Sequence, residues 1–404
     1  MRPINLRRVF FLASVFSLTF VYIFLWLRMI HDPAQYTGTD FVPFYAASQI
    51  ASNEGPGRVY DLNLQKKYEE QLIGFKFPVE NVNIYVNPPF MIPLANLVFT
   101  PIFRNSLIFW EILMAFYFLT SSIILFSLMH NLFPLKDLLI FLLGLLFFFP
   151  AYKSLLIGQN SAILFLGACL WLYGLLKRKD GIAGLGLALM TVRPHIALPL
   201  ALPFIFKRKV VFWWFLAGVV ALALFSWLYS GMDGILGFIK LLTVSAEGIN
   251  TTVKEKYMVN LIGVLIRLFP NSPLSFIHLV GWVAYLITII GLCTLWIRST
   301  EIQGKQIGLA ILVITFTAPH LHMHDLVLWS IPLVIILLSA QNDHVLIRKL
   351  ALVPWWLSMA ILFCFFSPIL ESVIPYLILL FLISAVYFPE KILSLSITEK
   401  GSIS

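Results

Sequence analysis

The chain has 404 residues, of which 60% are hydrophobic and 12% charged, with a mean hydropathy of +0.91. Soluble domains carry about 25% charged residues, so a water-surrounded fold lacks the polar surface to enclose this chain and the bilayer must be its main solvent. The formal net charge of +9 suggests nucleic acid at first, but the basic residues sit in short turns between apolar runs, the positive-inside pattern of membrane proteins, and no nucleic-acid partner is expected.

A membrane-crossing helix needs about 20 apolar residues. The first such run, residues 9–30, follows Arg2, Arg7 and Arg8. It is longer than the ~7–15-residue core of a signal peptide and has no small-residue cleavage pattern behind it, so it reads as an uncleaved span. Residues 31–87 form a long loop carrying Asp, Glu, Tyr and Asn, with interfacial helices expected over 43–53 and 62–73. Loops of this length are usually functional. The run 88–103 is apolar but holds Pro88, Pro89, Pro93 and Pro101; it either crosses or dips in and returns. Further spans are expected over 106–129, 135–150, 160–177, 182–192 with 195–206, 210–230, 274–297, 306–319, 325–341, 350–367 and 371–388. The expectation is an all-α polytopic membrane protein of about ten to twelve transmembrane helices. It is a single integral membrane domain over 1–404, with a long first extracytoplasmic loop and a cytoplasmic tail at 389–404.

The basic turns set the orientation. Arg7-Arg8, Lys177-Arg178-Lys179, Lys207-Arg208-Lys209, Arg298 with Lys305, Arg348-Lys349 and Lys391 all read as cytoplasmic, consistently only if 88–103 does not cross fully and 182–206 is a hairpin. Both termini are then cytoplasmic in a multi-pass protein of the cell membrane. Loop 31–87, turn 151–160, stretch 231–259, turn 318–325 and the hairpin tip at Arg193 face the opposite side. Cys169, Cys293 and Cys364 lie far apart inside apolar runs and read as small core residues rather than a disulfide or metal framework.

Ionisable residues at membrane depth are costly and are functional candidates by default. Asp40, just outside the first span, can accept a proton from an acceptor hydroxyl; the alternative is an N-cap for the helix near residue 43. Gly158-Gln159-Asn160-Ser161 reads either as helix capping by Asn160 or Ser161 or as a polar clamp for sugar hydroxyls and phosphate oxygens. Arg193-Pro194-His195 breaks an apolar hairpin with a full charge suited to bidentate phosphate recognition. The competing use of Arg193 is pairing with a buried acid such as Glu111. His320-Leu321-His322-Met323-His324-Asp325 could ligate a divalent metal, form an ordinary interfacial turn, or handle protons and phosphate. Spacing alone does not separate these.

Taken in order, these pieces resemble glycosyltransferase family 87, membrane enzymes of the GT-C architecture. The resemblance rests on six short motifs: Asp40-Phe41 with Tyr45-Ala46-Ala47 and Val59-Tyr60-Asp61; Tyr85-Val86-Asn87-Pro88-Pro89-Phe90; Gly158-Gln159-Asn160; Gly184 to Gly186 followed by Arg193-Pro194-His195; Asn260-Leu261-Ile262-Gly263; and Ala318-Pro319-His320 through His324-Asp325-Leu326. The family often has Lys at the place of Arg193, Ser at that of Ala318, and paired histidines where this chain reads His322-Met323-His324-Asp325. The resemblance implies a GT-C-like bundle that transfers a hexose, with inversion, from a polyprenyl-phosphate-sugar donor to an extracytoplasmic glycan or glycolipid acceptor. It implies Asp40 as general base with His324 beside it in the catalytic pair. Arg193, His195 and Lys153 would hold the donor phosphate, and Tyr45, Tyr85, Gln159, Asn160, Asn260, His320 and His322 would contact substrate. No cofactor or metal is required, the histidine turn being the place for one. The competing readings are a transporter or flippase of lipid-linked sugars, which should show internal repeats and charges strung through the membrane, and a non-catalytic scaffold of an envelope assembly complex.

Overall fold

In lipid, an apolar segment can satisfy its backbone only within itself, and the long Leu-, Ile- and Phe-rich runs accordingly form helices. A computed structural model describes residues 6–246, 255–299, 302–364 and 368–387; the expected tail 389–404 lies outside the described residues. Those residues are helical or irregular, with no strand among them. Six of their helical segments, Arg8–His31, Phe103–Met129, Leu135–Leu156, Lys209–Thr243, Leu274–Arg298 and His344–Phe363, are long and apolar enough to cross a membrane. The chain is an all-α polytopic membrane protein.

Helix α1 (Leu6–His31) leads into the loop, where α2 (Pro33–Tyr36), α3 (Val42–Asn53) and α4 (Leu62–Ile73) form. The two helices expected in the loop are thus present nearly residue for residue. Asp61 caps α4, accepting from the amides of Asn63 and Leu64. Gln65 and Glu69 of α4 then grip the segment that follows: the Tyr85 amide donates to Gln65 Oε1 at 2.9 Å and the Asn83 amide to Glu69 Oε2 at 3.0 Å. In the proline-rich run, α5 (Ile92–Leu97) has 6 residues, or ~9 Å of rise, against a hydrocarbon core of about 30 Å. That helix is too short to cross.

Next come α6 (Phe103–Met129), then α7 (Leu135–Leu146) and α8 (Phe149–Leu156), one span broken where Pro150 opens the second part. After them α9 (Ser161–Leu176), α10 (Asp180–Leu189) and α11 (Pro194–Ala201) follow. Helix α12 (Lys209–Ala246) runs on past residue 230, where the expected span ended, bending at Gly231, whose φ is 67°. The remainder is α13 (Leu261–Leu268), α14 (Leu274–Arg298), α15 (Gly304–Thr317), a 3₁₀ stretch Met323–Trp329 that continues into α16 (Ser330–Ser339), α17 (His344–Leu350), α18 (Val353–Cys364) and α19 (Pro368–Tyr387).

The short apolar helices position the site. Ser161–Leu176, Asp180–Val192, Pro194–Ile205, Gly304–Thr317 and Met323–Ser339 each have one end in a basic or polar turn and the other at a shared polar cluster. Sixteen residues of α9 rise ~24 Å and fourteen of α15 ~21 Å. Both fall short of the ~30 Å core, so the cluster lies in a recess below the membrane surface. The turns carrying Lys177-Arg178-Lys179 and Lys207-Arg208-Lys209 close the opposite end, where Arg208 Nε donates to Asp180 at 3.0 Å.

Candidate active site

The turn after α8 is the hinge of the site. Gly158 adopts φ 71°, the left-handed conformation that only glycine takes without strain. The Gln159 amide returns to the Ser154 carbonyl at 2.8 Å and the Gly158 amide to Leu155 at 2.9 Å, the paired bonds of a Schellman stop. Trp110 Nε1 donates to the Gly158 carbonyl at 2.9 Å. A Cβ on Gly158 would lie 2.5 Å from Cβ of Phe41, so the missing side chain lets this turn sit against Phe41 and meet its neighbour Asp40.

From there a continuous polar line crosses the recess. Gln159 Nε2 donates to Asp40 Oδ2 at 2.9 Å, and Gln159 Oε1 accepts from Arg193 Nη2 at 3.1 Å. Those two bonds fix which way the Gln159 amide faces. Arg193 Nε stands 3.5 Å from Asp325 Oδ1, which also accepts from the Ser161 hydroxyl at 2.9 Å. His324 Nε2 lies 3.6 Å from the other Asp325 oxygen. The rings of His195, His320, His322 and His324 line up beside this, with centroid separations of 6.3, 4.7 and 5.7 Å. Burial holds His320 well below the usual histidine range, with repulsion from His322, His195 and Arg193 added. Burial also lowers His322, against the pull of Asp325 and Asp40. Both shifts favour the neutral imidazole over the cation.

The structure gives each of these polar side chains a definite partner. Asp40 is not the N-cap of α3: that place is held by Phe41, with no side-chain cap bond. Asn160 sits at the cap position of α9 without capping it; its amide donates to Asn87 Oδ1 at 2.9 Å, and the Ser161 hydroxyl goes to Asp325. Arg193 does pair with a buried acid, but the acid is Asp325; Glu111 accepts from Trp26 Nε1 at 2.8 Å. Among the described residues no group of three or more His, Cys, Asp or Glu side chains is arranged to hold a metal ion.

The other expected site residues divide into wall and support. Tyr45 donates its hydroxyl to the carbonyls of Thr100 and Pro101 at 3.1 and 3.0 Å. Tyr85 is fully buried, its ring edge-on to Phe44. Asn260 caps α13 through the Gly263 amide and donates to the Ala318 carbonyl at 2.7 Å, so it holds the histidine turn by the backbone. The Tyr285 hydroxyl does the same for the His195 carbonyl at 2.6 Å. Lys153 stands half-buried on α8 before the Gly158 turn. His324 is placed on the Asp325 side of the recess. Two contributors were absent from the sequence-based set. Asp325 was seen only as the end of a histidine run, and Asn87 only as the residue before two prolines. An acid opening an otherwise apolar run, Asp325-Leu326-Val327-Leu328-Trp329, was the available signal for the first.

Buried polar atoms normally find partners. Of the twelve buried side-chain polar atoms without a hydrogen-bond partner among the described residues, four belong to this cluster: Asn160 Oδ1, His195 Nε2, and Arg193 Nε and Asp325 Oδ2, which still face Asp325 Oδ1 and His324 Nε2 at 3.5 and 3.6 Å. An arginine beside the starts of α9 and α11 suits an anionic group, while the open amide oxygen of Asn160 suits a hydroxyl donor.

A model of glycosyltransferase family 87 matches residues 85–319, more than half of the chain. Gln159, Asn160, Arg193, His195 and Asn260 lie inside the match; Asp40 and the turn 320–325 lie outside it and are joined to it by the contacts above. Neither the curated proteins nor the solved structures contain a match to this chain. With the family matched over its central part and a membrane bundle built around that polar recess, the chain belongs to glycosyltransferase family 87 and is a membrane glycosyltransferase.

Proposed function

We propose that the enzyme transfers a hexose from a polyprenyl-phosphate-sugar to a glycan or glycolipid acceptor on the extracytoplasmic side, with inversion at the anomeric carbon. The observation that carries this reading is the line Asp40–Gln159–Arg193, which puts a carboxylate and a guanidinium on either side of one amide. Asp40 Oδ2 is occupied by Gln159, and its other oxygen receives no hydrogen bond among the described residues. That oxygen takes the acceptor proton while the acceptor oxygen attacks the anomeric carbon from the face opposite the phosphate. The bond from that carbon to the phosphate oxygen breaks, and its electron pair leaves with the polyprenyl phosphate.

A phosphate leaving group needs positive charge and donors rather than the second carboxylic acid of a glycoside hydrolase. Arg193 supplies the charge, with its Nε still without a hydrogen bond, and His195, His320 and His322 supply neutral ring nitrogens beside it. Lys153 is a further cation on the approach. The positive-inside pattern supports basic turns in the cytoplasm and this recess on the outer side, where a donor arrives through the bilayer. The residues named carry the charge balance by themselves, so transfer is expected to survive chelator.

The test is transfer of radiolabelled hexose from a polyprenyl phosphate by the purified protein in lipid vesicles. Asp40→Asn, which keeps the acceptor for Gln159 but is no base, should lower turnover by roughly a thousandfold or more. Wild-type turnover in a folded Asp40→Asn variant would remove Asp40 from its role.

A further inference from the structure

Helix α12 is 38 residues long, ~57 Å if straight, nearly twice the hydrocarbon thickness. Its first limb, Lys209 to Ser230, is roughly 22 residues or ~33 Å and fills the bilayer alone. Gly231 then turns the chain at φ 67°, with nothing within 4 Å of where its Cβ would be. The limb after Gly231 therefore begins at the outer membrane boundary and leaves the direction of the span.

That second limb has two opposite faces. On one, Gly234, Gly237 and Phe238 meet the outer loop, and Leu241, one turn on, is buried. A Cβ on Gly237 would be 3.0 Å from Tyr60 Cβ, and Gly57 sits close enough to Ser230 that its own Cβ would be 2.9 Å from that carbonyl. The Phe238 and Tyr60 rings lie 5.4 Å apart. On the other face Met232, Leu236 and Ile239 recur at helical spacing and are exposed by 58, 57 and 52%. Asp233 and Lys240 lie exposed along one edge between the two. Such a stripe in water is unfavourable at about 25 cal/mol per Å², and a helix with an apolar stripe and charged flank settles into the headgroup boundary.

We infer that residues 232–243 form an in-plane helix seated in the outer leaflet, with Met232, Leu236 and Ile239 in lipid and the outer loop resting on its upper face. The surface takes the acyl and headgroup boundary of the bilayer itself, a partner fixed by continuity with the spanning limb. The seat is mechanically joined to the active site: Tyr60, held against Phe238, donates to the Asn87 carbonyl at 2.7 Å, and Asn87 accepts from Asn160, next to Gln159. The position of this helix in the membrane thereby sets the height of the loop that roofs the recess. This inference rests on the membrane architecture and not on the identity of donor, acceptor or base.

The experiment reads depth. In the full chain carrying Cys169→Ala, Cys293→Ala and Cys364→Ala, the single variants Met232→Cys, Leu236→Cys and Ile239→Cys are labelled with a small fluorophore. The protein is placed in phosphatidylcholine vesicles containing nitroxide lipids labelled either near the headgroup or near the chain end. Val220→Cys, halfway along the first limb, is the deep control. At Leu236 and Ile239 the shallow nitroxide should quench roughly twofold more than the deep one, and at Val220 the order should reverse. Three results overturn the inference: quenching mainly by aqueous iodide, which puts the limb in water; stronger quenching by the deep nitroxide, which puts it in the core; or protection from all quenchers, which means protein covers the stripe, as a second copy of this chain would.

Discussion

The ion pair at the centre of the recess offers the sharpest test of how the site is built. Asp325 and Arg193 have side chains only 1% and 14% exposed, and their charged atoms are 3.5 Å apart. At an effective dielectric constant of about 20, unit charges at that separation attract by ~5 kcal/mol. Much of this is offset by the cost of removing both from water. Taking away one partner leaves the other charged and buried, which costs ~3–5 kcal/mol. Asp325→Asn keeps the shape and an oxygen for Ser161 but deletes the charge, and Arg193→Met keeps much of the length without the guanidinium. Each single variant should lose about 3 kcal/mol in reversible unfolding from mixed micelles, and the double variant should lose less than the sum by ~2 kcal/mol or more. The same cycle read in sugar transfer should be non-additive, because Asp325 acts by holding Arg193 rather than by touching substrate. Additive losses in both measurements would show that Asp325 and Arg193 are not working as a pair.

Three further expectations follow from neighbouring contacts. Gln159→Glu sets a like charge against Asp40 and should reduce transfer by roughly a hundredfold, whereas Gln159→Met, which only removes two hydrogen bonds, should cost about tenfold; equal losses would refute the electrostatic account. Gly158→Ala puts a methyl 2.5 Å from Phe41 Cβ at a positive φ, and the strain should destabilise the fold by about 3 kcal/mol and lower turnover by moving Gln159 off Asp40. In the outer loop, burial raises the Glu69 carboxyl to about 8, against a smaller lowering from the Asn83 amide. An acid whose folded pKa is raised makes the loop most stable below its ordinary value near 4.5 and progressively less stable as pH climbs to about 8. The loss reaches on the order of 4 kcal/mol above that range. Hydrogen exchange of the Asn83 and Tyr85 amides should accelerate beyond its intrinsic pH dependence across that window in the wild type and not in Glu69→Gln.

Membrane residence, all-helical class, the basic end of the bundle and both loop helices were legible in the sequence. Each depends on local composition: apolar run length, clustered lysine and arginine, and a helix stop or cap such as Asp61. The short polar motifs were legible too, through their order. Composition could not say what each polar side chain holds, because the partners come from distant parts of the chain. Asp40 and Gln159 are 119 residues apart, and Ser161 and Asp325 are 164 apart. At Asp40, Asn160 and Ser161 a local cap was a reasonable expectation, and in each case a long-range hydrogen bond in a low-dielectric recess replaced it. The bend at Gly231 was also hidden, since apolar residues continue across it and only the backbone reverses the sign of φ. The sequence by itself determined the solvent this protein lives in and which residues were too costly to be idle there. The tertiary structure alone decided their pairing, since helices shorter than the bilayer bring widely separated turns to a single point.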